Sequence, residues 1–190
     1  MRIFDQSQLS PLTLSGLVFA ACFVVTSAAA QSSCSSDGQR APAVLTERFI
    51  RADCDTCWAN PNTVKVKARE LALDWIVPGA KGEDAPLSAA ASQDALQRLE
   101  AIQQAAPADF ASVRHQLPAR PLALRVARGV ALGGYMGTSI ELKPAKGGTM
   151  PKQTLSAWLL LVEDIPAGTE GTPVARNLVR NALTLSWNGP

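Results

Sequence analysis

Cys54 and Cys57, two thiols three residues apart, are the residues of this chain best suited to chemistry. Such a pair can close a disulfide with itself, and at the start of a helical turn a C-x-x-C often works as a redox couple. The neighbouring charges set a direction. A helix N-terminus favours a thiolate, whereas Asp53 and Asp55 on either side of Cys54 oppose one by like-charge repulsion, and Arg51 offsets part of that opposition. A reactive thiolate stabilises the reduced form, so carboxylates beside it predict a comparatively stable disulfide rather than a strong oxidant. Two other uses remain open. The pair can be a static staple, or Cys34 can bond to one of its members and pin the N-terminal arm; alternatively the thiols can bind a soft metal such as copper, with His115, Met136 or Met150 recruited as ligands.

Other reactive residues are sparse. His115 is the only histidine, it lies in Ser112-Val113-Arg114-His115-Gln116, and it is expected on the surface. Any histidine-dependent nucleophile or multi-histidine metal site would have to use it. Asp74, beside Trp75, and the pair Glu83-Asp84 are the carboxylates that could stand at a sheet edge near the cysteines, the latter more simply as a solvated loop. No G-x-S-x-G elbow, P-loop or dinucleotide G-x-G-x-x-G follows a strand. Trp58 stands where c-type haem attachment needs a histidine, and no motif calls for a cofactor. Trp58, Trp75, Trp158 and Trp187 read as core, although Trp58 can line a shallow groove beside the thiols.

The compartment decides how the cysteines are read. Residues 1–30 have the pattern of a secretory signal, with Arg2 ahead of an apolar run from Leu12 to Val25 and Ala28-Ala29-Ala30 as a cleavage pattern before Gln31. The run is short for a bilayer-spanning helix, which needs about 20 residues. Export to the periplasm or beyond would leave Cys34, Cys54 and Cys57 in an oxidising environment, where pairs form disulfides. An odd thiol then stays free, exchanges, or bonds another chain. The net charge of +2 comes from interspersed residues without a Lys/Arg run. It gives no reason to expect nucleic acid or, beyond the signal, a membrane surface as partner. Oligomeric state is left open.

The expected elements carry the pair on a small sheet. Residues 31–42 are polar and read as a flexible lead-in, and 43–190 as one domain. Ala43 to Arg51 reads as a strand running straight into the C-x-x-C, and Asn60-Pro61-Asn62 ends any helix started there. Leu71 to Val77 is a second strand. Ser88 to Ala106 is the strong helix, with Leu96, Leu99 and Ile102 on one face, Ser92 as N-cap and Pro107 as its stop. From Pro121 the pattern turns to β. Leu122 to Ala131 and Tyr135 to Leu142 flank a Gly133-Gly134 turn, Leu155 to Asp164 reads as a central strand, and Val174 to Trp187 alternates with Val179, Leu183, Leu185 and Trp187 on one face. The fold class is therefore α+β with a mostly antiparallel back half.

A strand ending in C-x-x-C, Pro61 soon after it, and the segments Ala157 to Val162 and Ala175 to Asn181 together resemble a group of secreted bacterial thioredoxin-like proteins of uncharacterised function. That resemblance implies a thioredoxin-like front half. Cys54 would be the attacking cysteine and Cys57 the resolving one. A substrate-docking proline would precede a later strand, with Pro121 the first candidate and Pro118 the second, and Asp53 stands where such proteins usually carry an aromatic. It further implies thiol–disulfide chemistry on a protein partner. The competing expectation is a non-enzymatic binding or assembly module that keeps the disulfide for stability and uses its β half.

Overall fold

The structure, a computed structural model, describes residues 34–61, 66–117, 122–144 and 148–187. The leader, Pro118 and Pro121 lie outside the described residues. The chain is α+β and mostly sheet. Its strands are β1 (Cys34–Ser35), β2 (Val44–Arg51), β3 (Glu70–Val77), β4 (Phe110–Gln116), β5 (Leu122–Leu132), β6 (Tyr135–Pro144), β7 (Leu155–Ile165) and β8 (Arg176–Trp187). The α-helices are α1 (Asp55–Trp58) and α2 (Gln93–Ala101). One sheet has the order β4-β2-β3-β8-β7 and the other β1-β5-β6.

β2 and β3 pair in parallel over their full length, and β3 meets β8 in parallel at Asp74 and Leu178. Parallel strands covered on both faces need near-continuous apolar sequence, which Leu71 to Val77 supplies; Ala72 through Val77 are all buried. On one face Phe49, Leu73, Trp75 and Val179 pack against Ala95 and Leu99 of α2, with Phe49 and Trp75 stacked at 6.1 Å. On the other face Ile50, Ile76, Ile165 and Leu178 pack with Trp58 and Cys57 of α1.

Several elements depart from the sequence expectation. α2 begins only after Ser92, whose hydroxyl accepts from the Asp94 amide at 3.0 Å, and ends at Ala101. Ser88 to Ala90 is instead a 3-10 turn, and Gln103 adopts a positive φ of 57°, so the apolar spacing overran the helix at both ends. Phe110–Gln116 is a strand paired antiparallel with β2. Ala111, Val113 and His115 alternate inward there, but with Val113 the one strong strand former among those three the alternation is faint. β7 is an edge strand, not a central one. Its apolar content serves both faces: Trp158 and Leu160 pack on the α2 side, while Leu155, Leu159 and Leu161 turn toward the β5–β6 hairpin, Leu161 staying exposed.

The uniform alternation expected along 174–187 is also broken. The β7–β8 register shifts between Leu161 and Val162, so that Asn181 pairs with Leu161 and Val179 with Val162, leaving Arg180 as an extra residue. A bulge of this kind reverses which face each following side chain takes. Val179 and Ala182 thus reach the α2 core, while Asn181 and Leu183 turn to the opposite face. The Asp94 carboxylate accepts from the Ala182 amide at 2.7 Å just past the bulge.

The second sheet is a hairpin closed by Gly133 and Gly134 with φ of 57° and 83°, the conformation a two-residue turn between twisted strands requires. Where a flexible lead-in was expected, Cys34 and Ser35 pair with Arg128 and Ala127 of β5. Arg125 also donates to both Asp37 oxygens, at 2.8 and 2.9 Å.

A buried charge triad ties the five-stranded sheet together. Asp74 is fully buried and accepts from Arg48 of β2 and from Arg176 of β8 at 3.0 Å. Arg176 uses every nitrogen: Nε donates to Thr172 Oγ1 at 2.9 Å and NH2 to the Trp58 carbonyl at 2.5 Å. Burial pushes the Arg176 pKa down and Asp74 holds it up. Arg48 Nε and NH1, by contrast, have no hydrogen-bond partner among the described residues.

Removing one partner of a buried pair leaves an uncompensated charge, so Asp74→Ala is expected to lower unfolding free energy by about 3–5 kcal/mol in urea titrations. Arg48→Met leaves a neutral Asp74–Arg176 pair and removes two unpartnered donors, and it should stay within about 1 kcal/mol of the parent. Comparable losses for both would mean that Arg48 is fully compensated after all. A second expectation concerns pH. The Arg125 hydrogen bond, aided by Ser35, holds the Asp37 carboxyl below its ordinary 3.8. A depressed folded-state pKa stabilises above the unfolded value and is lost as pH falls through the folded one. Protection of the Ser36 amide, which donates to Val126 O, should therefore hold from neutral pH down to about 3.8 and weaken below it. Hydrogen exchange referred to intrinsic rates reads this directly, and protection unchanged at pH 2 would rule the pair out as the anchor.

Candidate functional site

Cys54 and Cys57 sit where β2 ends, beyond Arg51 and Ala52. Their sulfurs are bonded to each other with Cα atoms 5.3 Å apart. Both residues are half-buried, while Asp55 and Thr56 between them are exposed. Cys54 caps α1, its Sγ accepting from the Cys57 amide at 3.2 Å. Helix α1 is a single turn that stops at Trp58, before Pro61, so it offers the sulfur little dipole.

Asp53 does more than repel. Its carboxylate accepts from the amides of Ala80 at 2.6 Å and Lys81 at 3.2 Å, and Arg51 lies 3.9 Å away. Gly79 makes this possible, because a Cβ there would collide with the Asp53 carboxylate. The residue in the aromatic's expected place thus ties the C-x-x-C loop to the turn after β3.

Trp58 is buried and clamped. Its indole Nε1 donates to the Glu170 carbonyl at 2.6 Å, and the Arg176 guanidinium lies over its ring, 4.7 Å from the centroid. It borders a depression of about 160 Å³ that includes Ile76, Leu87, Ile165, Leu178 and Arg180. Cys57 packs into the same apolar cluster as Trp58, Ile76, Leu87 and Leu178. Neither Cys54 nor Cys57 is among the residues that line this depression, so Trp58 borders it while the sulfurs stand outside it.

The remaining candidates are placed as follows. Asp74 does not end a strand at the surface; it is the buried centre of the triad. Glu83 and Asp84 are exposed in a 3-10 turn. His115 is not a free surface histidine. It faces inward from β4 with its Nε2 3.1 Å from Glu47 Oε2, though not aligned for a hydrogen bond. Glu47 is itself buried, accepting from Arg98 through two bonds of 2.8 and 2.7 Å and from the Trp75 indole at 3.1 Å. Sequence reading missed this network, since nothing marks Glu47 as inward except its place between apolar positions of β2. Met136 lies on the other sheet, 3.6 Å from Arg128 NH1. Among the described residues no three His, Cys, Asp or Glu side chains converge on a metal-sized site, and no helix is long and apolar enough to cross a membrane. Cys34 is an exposed free thiol.

No family model matches the chain, and comparisons with curated proteins and with solved structures find no match.

The charge of Asp53 should be felt at the sulfurs. Asp53→Asn keeps an oxygen for the Ala80 amide and removes the repulsion of an incoming thiolate. Reduction of Cys54–Cys57 by dithiothreitol is expected to accelerate severalfold at low salt, with the difference shrinking as salt screens it. A rate equal to the parent's at low salt would show that the local charge does not reach the disulfide.

Proposed function

We propose that this is an exported, thioredoxin-like thiol–disulfide protein whose working pair is Cys54 and Cys57, acting on a protein partner in the periplasm or outside the cell. The observation that carries the reading is the position of the bond: half-buried at the end of β2, in a loop already anchored without it. Asp53 holds the loop to the 78–81 turn, and Trp58 is held by Glu170 and Arg176. A disulfide closing so few residues adds only about 2 kcal/mol in the loop-entropy account. A staple is redundant at this place, whereas an exchangeable bond on a fixed platform is useful. The order strand, C-x-x-C, strand, helix (β2, α1, β3, α2) accords with the family resemblance, and the apolar run before Gln31 accords with export.

The step balances as follows. A partner thiolate attacks Cys54 Sγ, the Cys54–Cys57 bond breaks, and Cys57 leaves as a thiolate that takes up a proton. The partner's second thiolate then attacks the mixed disulfide and releases Cys54. Two electrons and two protons pass from the partner dithiol to the pair, and the reverse sequence reduces a partner disulfide. An apolar side chain next to the partner cysteine can rest in the depression bordered by Trp58.

Mass-spectrometric thiol mapping across a glutathione series tests the reading. Reversible interconversion of Cys54 and Cys57 is expected, at a potential more negative than about −180 mV, the value of a disulfide isomerase. Cys57→Ala should accumulate a mixed disulfide on Cys54. The double variant Cys54→Ser/Cys57→Ser should lose no more than about 2 kcal/mol of stability. A bond that resists reduction until the chain unfolds would make the pair scaffolding.

A further inference from the structure

We propose that the space between the β5–β6 hairpin and the β7–β8 ribbon is a binding site for a long-chain fatty acid. The two sheets face each other without filling the gap. At one end lies a cavity of about 210 Å³ with Leu122, Leu124 and Leu142 on the hairpin side and Leu155 and Trp187 on the other. Further along the same strands lies a larger one of about 730 Å³, with Val126 facing Leu159, Leu161 and Leu183. From Leu122 to Arg128 the line of cavities follows seven residues of β5, six steps and about 20 Å at strand rise. The gap is open to solvent, as the exposure of Leu161 and Leu183 shows, and several hundred cubic ångströms is the size of a ligand pocket.

The exposed apolar side chains point the same way. Half of the large hydrophobics exposed among the described residues border these two cavities: Leu124, Met136, Leu161, Val162 and Leu183. Leu183 faces this space only because of the bulge at Arg180, which also brings Asn181 there. The lining is graded. The smaller cavity is almost wholly apolar, and the larger one ends at Arg128, Thr138, Asn181, Ser35 and Ser36. An inserted peptide strand would bring backbone donors and acceptors to these leucine walls without partners, at a cost of a few kcal/mol each in general. An acyl chain has no such groups. A carboxylate at its end meets a guanidinium at the polar end, Arg128, directly across the ladder from Cys34. The ligand is therefore a single-chain amphiphile lying tail-first toward Trp187, with its carboxylate at Arg128.

The test is titration of the full chain with cis-parinaric acid, followed by displacement with palmitate and with methyl palmitate. Saturable one-to-one binding is expected, with palmitate displacing the probe at least about tenfold better than its ester. Leu183→Asp, at a position already 53% exposed, should abolish binding while circular dichroism stays native. Met136→Asp serves as the second lesion if that variant folds poorly. Arg128→Gln should weaken palmitate about tenfold and leave the ester unchanged. Absence of saturable binding, or binding that survives both cavity lesions, overturns the site; equal affinity for palmitate and its ester overturns the assignment of Arg128. A dimer in sedimentation that dissociates on Leu183→Asp would give the cavity to a second copy instead and equally overturn the proposal.

Discussion

Asp74 is the fixed point of this molecule. It has no contact with solvent and sits on the middle strand of the five-stranded sheet, where one carboxylate must answer two guanidiniums from the strands on either side. Such an arrangement is costly to assemble, because each buried ion gives up several kcal/mol of hydration. Matched donors offset that cost, and the two guanidiniums do so unequally. Arg176 offsets it by reaching past Asp74 to Thr172 and to the Trp58 carbonyl, and by lying on the Trp58 ring. A cation over an indole is worth about 2 kcal/mol or more when desolvated. The consequence is structural coupling: β2, β3, β8, the 166–172 loop and the C-x-x-C turn meet at one charge cluster. The disulfide is positioned by the sheet and not by a long helix.

The opposite face follows the same logic, again with a carboxylate at the centre. There a buried carboxylate, Glu47, stands one residue before Arg48 and so projects the other way, toward Arg98 of α2 and the Trp75 indole. Alternation along β2 thus places a buried acid on one side of the sheet and a buried base on the other. Arg98 also lies 5.2 Å from the centroid of the Trp158 ring, so each core pairs a guanidinium with an indole. Polar groups satisfied in this way specify which strands are neighbours, since a shifted register would bury them unpaired.

This explains what was legible in the sequence and what was not. Strands β2, β3, β5, β6, β7 and β8 carry apolar runs or glycine turns that operate over a few residues, and the C-x-x-C spacing allowed the Cys54–Cys57 bond as one alternative beside a bond to Cys34. The N-cap of α2 at Ser92 is equally local. The inward aim of Glu47, Arg48, Asp74, Arg176 and His115 was not legible, because a charged residue in a strand carries no sign of its face until its cross-strand partner is known. Arg176 and Asp74 are a hundred residues apart in sequence and adjacent only through a parallel pairing. β4 was hidden for a related reason: Arg114 and His115 dilute its alternation, yet His115, paired with Leu45, reaches Glu47 diagonally on the same face. β7 misled in the opposite direction. Its hydrophobicity records apolar positions on both faces, one packed on α2 and one turned to the hairpin, and ladder position cannot be told apart from that by composition.

The bulge at Arg180 shows how one extra residue divides a sheet into two uses. Before it, β8 offers Arg176 and Leu178 to the cluster beneath the disulfide. After it, the same face carries Asn181 and Leu183, which look across at the hairpin. Without the shift, Leu183 would share a face with Val179 and point into the α2 core, and Ala182 would face the hairpin. The small residue therefore falls where α2 comes close, and the large one falls where the sheets stand apart. Asp94 holds that choice in place by accepting the Ala182 amide, so the first turn of α2 serves as cap, core edge and register lock at once. The lock stands between the charge cluster and the apolar gap, so β8 serves the disulfide-bearing end of the sheet with one stretch and borders the cavity with the other.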